Sequence, residues 1–166
     1  MKEIKNTTIY NKEIVKKFLE IHYFEKIKVI RIVLNILIVI TIISFFVKDN
    51  RGTLDIIALL CSLFGIIEIN TTMLPKINLL KVCKSKDSII NTKVTYVFKK
   101  NNFNLNKDEY IDYNTLNKVI ETDNSYYLYI NSSRALIVDK SVLEQDEIEY
   151  LSNTLKQNVS TYKYKK

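Results

Sequence analysis

Between residues 29 and 47 the chain reads VIRIVLNILIVITIISFFV, nineteen positions of which fifteen are Val, Ile, Leu or Phe. As a helix this run is about 28 Å long, close to the hydrocarbon thickness of a bilayer. At about −0.3 to −0.6 kcal/mol per apolar residue, the fifteen contribute roughly −4 to −9 kcal/mol of insertion free energy, enough to outweigh Arg31 and Asn35. A second apolar run, residues 54–74 (LDIIALLCSLFGIIEINTTML), carries Asp55 and Glu68 near its ends, where polar groups reach headgroups. Two membrane spans, 29–47 and 54–74, are therefore expected. The mean hydropathy of −0.03 averages this region with a polar remainder and conceals it.

Residues 48–53 (KDNRGT) join the runs in a short polar turn, so the spans form an antiparallel transmembrane hairpin with both ends on one side. Residues 1–31 hold eight Lys/Arg against four Glu, and Lys76, Lys81, Lys84 and Lys86 follow the second run. The positive-inside rule places both termini in the cytoplasm. A cleaved signal peptide is the rival reading of the first run, but its charged leader is too long and no small-residue cleavage site follows Val47. Reading the spans as straight helices puts Arg31 opposite position 70 and Asn35 opposite Ile66. Arg31 and Glu68 are then expected to meet near the inner interface, with Gly65 letting the helices approach; the alternative is that each charge snorkels separately to headgroups. Two spans with one acid–base pair lack the repeats of a carrier.

Before the first span, residues 2–10 (KEIKNTTIY) are β-compatible, and Asn11 is a plausible cap for a helix whose Ile14, Phe18, Ile21 and Phe24 form an amphipathic stripe. After the second, Pro75 closes or kinks the helix and KINLLKVCKSKD continues as a basic stalk. Each lysine there gains about 1 kcal/mol against an anionic leaflet, so Lys76, Lys81, Lys84 and Lys86 are expected to face headgroups. The period then changes to two. Short β-rich runs at 92–99, 103–106, 109–113, 117–122, 126–131 and 134–139 predict an antiparallel meander of five or six strands. Ile148, Leu151, Leu155 and Val159 line one face of a helix that closes it. The fold class is an α+β membrane protein: residues 1–28 a strand and cytosolic helix, 29–75 the hairpin, 76–90 the stalk, and 91–166 a meander capped by a helix, as in pleckstrin-homology-like (PH-like) domains.

Several function classes fall away on composition. Gly52 and Gly65 are the two glycines among 166 residues, too few for a phosphate-cradling loop or a dinucleotide fingerprint. Cys61, Cys83 and His22 have no metal-ligand or disulfide spacing, so no metal and no cofactor are expected. His22 sits beside an apolar stripe with no nucleophile and acid arrayed around it, which speaks for packing and against an enzyme. Asp108, Glu109 and Asp112 read as solvated charges near a turn. Tyr126, Tyr127 and Tyr129 with Lys118 and Arg134 could suggest a nucleic-acid-stacking sheet, but tyrosine is favoured in half-buried strands, and much of the +7 charge flanks the membrane. Residues 76–166 carry fifteen Lys/Arg and eleven Asp/Glu, a net +4 that suits a surface facing anionic lipid.

The hairpin, residues 111–121 (IDYNTLNKVIE), the strand 126–130 (YYLYI) and residues 135–140 (ALIVDK) before the last helix resemble the YcxB-like proteins of bacteria. The resemblance implies a membrane hairpin carrying a small PH-like cytosolic domain, in a family with no established reaction. An aromatic, often Trp, is typical where Tyr113 stands, and Ile-Pro-Lys where this chain has Val138-Asp139-Lys140. The function expected is non-enzymatic recognition of a protein, peptide or lipid headgroup at a bacterial inner membrane. Abundant Lys, Ile and Asn fit an AT-rich bacterial genome. The alternative is self-protection against a membrane-active bacteriocin or toxin, which a neighbouring gene for a small secreted peptide would favour. Small residues Gly65 and Ser62 permit a homodimer, and no nucleic-acid partner is expected.

Overall fold

The computed structural model describes residues 3–50, 52–71, 73–85, 88–106, 109–132 and 134–165. The chain divides into two compact units, residues 1–14 with 89–166, and residues 15–88. The first strand, β1 (Ile4–Ile9), thus belongs with the β-rich unit at the far end of the sequence. Asn11 then caps helix α1 (Lys12–Lys26) as its residue type predicts, its Oδ1 accepting from the Ile14 N–H at 2.8 Å.

In the 15–88 unit, α2 (Lys28–Val47) reproduces the first apolar run and buries none of its residues. Val29, Phe46 and Val47 are 73%, 67% and 76% exposed. Among the described residues α2 is the one helix long and apolar enough to cross a membrane. Helix α3 (Thr53–Asn70) runs back against α2. At the turn, Lys48 Nζ donates to both Asp55 carboxylate oxygens at 2.8 Å, and the Asp55 carboxylate accepts from the Gly52 N–H at 2.8 Å. At the other end the Asn35 and Asn70 side-chain amides exchange hydrogen bonds of 3.0 and 3.4 Å. Facing positions sum to 103 or 105 instead of 101, so Gly65 lies against Ile38 and Asn35 meets Asn70, not Ile66.

The second helix stops four residues short of Leu74. A continuous helix would drive the Pro75 ring into the Thr71 carbonyl, so the chain breaks at Thr71 and a new helix, α4 (Met73–Lys84), takes Pro75 into its first turn, where no N–H is needed.

The β-rich unit holds two four-stranded sheets. In the first, β1, β2 (Lys93–Phe98), β3 (Asn102–Leu105) and β4 (Glu109–Asp112) pair antiparallel in chain order, with Ile4 opposite Phe98 and Phe98 opposite Phe103. In the second, the order is β7 (Ala135–Asp139), β6 (Ser125–Tyr129), β5 (Lys118–Glu121), β8 (Tyr162–Tyr164). The six predicted runs all appear as strands, each shifted or trimmed by one to three residues. Two features depart from a simple meander: β1 adds a first strand, and β8 pairs parallel with β5. Helix α5 (Gln145–Asn158) opens with a reciprocal cap, Glu144 N–H donating to Glu147 Oε2 at 3.1 Å, and buries Leu151 and Leu155.

Side chains join the free edge of β7 to β1. The strand β1 points Ile4, Asn6 and Thr8 inward, and two of those three are polar. Thr8 Oγ1 accepts from the Asp139 N–H at 2.9 Å and donates to Asn6 Oδ1 at 2.7 Å, while Asn6 Nδ2 donates to the Asp139 carbonyl at 2.7 Å. Two residues away, the Tyr10 hydroxyl accepts from the Ile137 N–H at 3.0 Å and the Tyr96 hydroxyl donates to the Ile137 carbonyl at 2.9 Å. The 2.7 Å contact between those hydroxyls is therefore donated by Tyr10. The outward N–H and carbonyl groups of Ile137 and Asp139 are thus satisfied as a neighbouring strand would satisfy them.

Candidate functional site

In the 15–88 unit the residues expected to act at a membrane are mostly displayed. Lys76, Lys81 and Lys84 of α4 are exposed, and so are Leu74, Ile77 and Leu80 among them. A helix face that mixes three ammonium groups with three large aliphatics can seat its lysines among headgroups while its aliphatic side chains enter the acyl boundary. Lys86 lies outside the described residues. Arg31 stacks over the Phe24 ring with Cζ 5.2 Å from its centroid. Burial first, and then the Glu68 charge, raises the hydroxyl of the adjacent Tyr23. Arg31 and Glu68 thus address neighbouring aromatic side chains at the end of α1, and among the described residues no ion pair joins them. His22 lies with its ring 5.5 Å from that of Phe18, one helical turn earlier. Cys61 and Cys83 are both free thiols.

The β-rich unit contains a buried polar cluster that sequence reading did not single out. Glu121 ends β5 with its side chain 9% exposed, and Lys140 follows β7 with its side chain 7% exposed. Lys140 Nζ meets Glu121 Oε1 at 2.5 Å and lies 4.4 Å from the centroid of the Tyr126 ring. Ser152 of α5 donates to the same Oε1 at 3.1 Å, and the Tyr162 hydroxyl of β8 donates to Oε2. The Tyr126 hydroxyl donates to the Ile148 carbonyl at 3.0 Å, so the 2.7 Å contact with Ser152 leaves Tyr126 accepting there only if Ser152 shares its proton between two acceptors.

Side chains from three other segments, Lys140, Ser152 and Tyr162, bond to one carboxylate. Burial on its own would raise the Glu121 carboxyl, but hydrogen bonds from Lys140, Tyr162 and Ser152 and the Lys140 charge together hold it below the ordinary glutamate range. Burial, then the bond to Glu121, pushes the Tyr162 hydroxyl well above the ordinary tyrosine range. Burial likewise pushes Tyr126 up to about 12. The cluster is an ion pair with its lone pairs satisfied, and it pins α5 and β8 to the second sheet.

A groove of about 370 Å³ lies between the β2–β3 turn and α5, with Lys100 and Asn101 on one wall and Tyr150, Asn153 and Gln157 on the other. Of the acidic trio near β4, Glu109 pairs with Arg134 at 3.4 Å and Asp112 accepts from the Tyr110 hydroxyl at 3.2 Å, while Asp108 lies outside the described residues. Among the described residues no group of three His, Cys, Asp or Glu could hold a metal ion.

Part of the sequence that carries these groups matches a known family. Residues 98–155 match the YcxB-like protein family. No curated protein and no solved structure matches the chain. The YcxB-like segment runs from the last residue of β2 to Leu155 in α5. It therefore includes Glu121, Tyr126, Lys140 and Ser152. Tyr162 and the whole of β1 lie outside it, so the YcxB-like segment is completed in this chain by strands from both ends.

Proposed function

We propose that this protein is a membrane-anchored, non-enzymatic recognition protein of a bacterial inner membrane. Helices α2 and α3 form a two-span hairpin, both termini are cytoplasmic, and the β-rich unit is a PH-like domain that binds a protein, peptide or lipid headgroup on that side. The observation that carries this reading is α2: twenty residues, overwhelmingly apolar, none buried by the protein itself. Water is a poor solvent for such a surface, and hydrocarbon is a good one. The basic, aliphatic-studded face of α4 supports a cytoplasmic, anionic leaflet beside it. The pairing of Asn35 with Asn70 supports α3 as the second span, because it satisfies both amides within the helix pair. Two sheets followed by one packed helix support the PH-like reading.

The experiment is fractionation of cells producing the full chain. Membranes washed in alkaline carbonate should retain the protein, and detergent should release it. Appearance in the carbonate supernatant contradicts an integral anchor.

A further inference from the structure

Strand β8 is an atypical member of its sheet. It has three residues, it pairs parallel where every other ladder is antiparallel, and Tyr164 is 52% exposed. Parallel pairing at an edge is the weaker arrangement. Yet its contacts are specific. The Val119 N–H donates to the Thr161 carbonyl and the Lys165 N–H to the Glu121 carbonyl, each at 2.8 Å.

In this register Tyr162 lies beside Val119 and Tyr164 beside Glu121, and each hydroxyl reaches the carboxylate of the residue two positions further on, Glu121 at the end of β5 and Asp123 in the turn after it. Lys156 of α5 covers the Tyr162 ring at 5.4 Å from its centroid. The edge of β5 and the turn that follows it thus offer a main-chain ladder and two carboxylates, Glu121 and Asp123, spaced for a Tyr-x-Tyr segment.

We propose that this edge of β5 is a docking slot for an extended, basic, tyrosine-bearing peptide segment of a partner protein, and that β8 is the occupant the chain supplies itself. The proposal rests on the recognition reading above and names its ligand class. Main-chain bonds provide the affinity, as in other strand additions, and the two carboxylates choose the side chains. A carboxylate as enclosed as Glu121 selects for the hydroxyl: phenylalanine in that place leaves a buried acceptor unpaired. Displacing β8 by a partner strand exchanges like for like, so binding needs no rearrangement of the sheet.

The test uses the full chain in detergent and a labelled peptide with the sequence of residues 159–165, VSTYKYK. In the chain, Tyr162→Phe weakens the internal occupant while Lys140 and Ser152 still hold Glu121. This variant is expected to bind the peptide about tenfold more tightly than the wild-type chain. Replacing the first peptide tyrosine by phenylalanine is expected to reverse that gain. Equal binding by the two chains, or indifference to the peptide hydroxyl, overturns the proposal. A chain truncated after Ser160 removes β8 outright, and its failure to bind the peptide while keeping a native near-ultraviolet spectrum overturns it too. Dimerisation by exchange of β8, with no uptake of free peptide, overturns it in favour of a second copy as the occupant. Failed peptide binding with carbonate-resistant membrane retention removes the slot alone, whereas release by carbonate removes the anchor alone.

Discussion

At the scale of single residues, the buried Glu121–Lys140 pair and the inward polar side chains of β1 tie together segments distant in sequence. Lys140→Met keeps the length of the side chain but strands Glu121 with only Tyr162 and Ser152, and breaking a buried pair this way costs about 3–5 kcal/mol. Chemical denaturation of the detergent-solubilised chain should show that loss. Because the folded Glu121 carboxyl titrates below its unfolded value, its contribution is complete above the unfolded pKa of about 4.3 and disappears as pH falls through the folded value. The stability of the β-rich unit should therefore decline below about pH 4, and Glu121→Gln should flatten that decline; an unchanged profile contradicts the assignment. Asn6→Ala leaves the Asp139 carbonyl and the Thr8 hydroxyl without their partner and is expected to cost about 1–3 kcal/mol. Thr7→Ala, on the opposite face of the same strand, should change stability by less than about 0.5 kcal/mol.

At the scale of elements, the strands of the YcxB-like segment, α5 and α2 were legible because each writes its own period or apolar length into consecutive residues. What was not legible depends on distant partners. The strand β1 reads as weakly amphipathic because Asn6 and Thr8 occupy inward positions, and their reason, the open edge of β7, lies more than 130 positions away. Glu121 directly closes the apolar run Val119-Ile120, a signal for a charge taken inside, whereas Asp139 separates Lys140 from Ile137-Val138, and only the topology pairs the two charges. The all-buried β6 was expected to be half-buried, since a sequence of large residues does not reveal that both faces are covered. The end of α3 was recoverable in principle, because the Pro75 ring excludes the carbonyl four residues before it. One consequence is testable at this scale: a fragment of residues 89–166 lacks β1 and exposes the edges of β2 and β7, so it should aggregate or melt without cooperativity. Co-expression with residues 1–14 should restore a cooperative transition, and a well-behaved monomeric fragment without them contradicts the role given to β1.

At the scale of the whole molecule, a helical unit, residues 15–88, interrupts in sequence a β-rich unit assembled from residues 1–14 and 89–166. The polypeptide leaves the sheet after β1, forms helices α1 to α4, and returns to resume the same sheet with β2. If α2 and α3 both span, as proposed, residues 1–14 and 89–166 lie on the same side of the bilayer. The two native thiols are well placed to report on this, since Cys61 lies within α3 and Cys83 near the end of α4. Single-cysteine chains made with Cys61→Ser and Cys83→Ser should be challenged with a membrane-impermeant maleimide, first on intact cells and then on inside-out vesicles. Neither thiol should be labelled in cells, and in vesicles Cys83 should be labelled while Cys61 stays protected until detergent is added. Labelling of Cys61 in sealed vesicles would contradict a second span, and labelling of Cys83 from outside the cell would contradict the cytoplasmic placement of the β-rich unit.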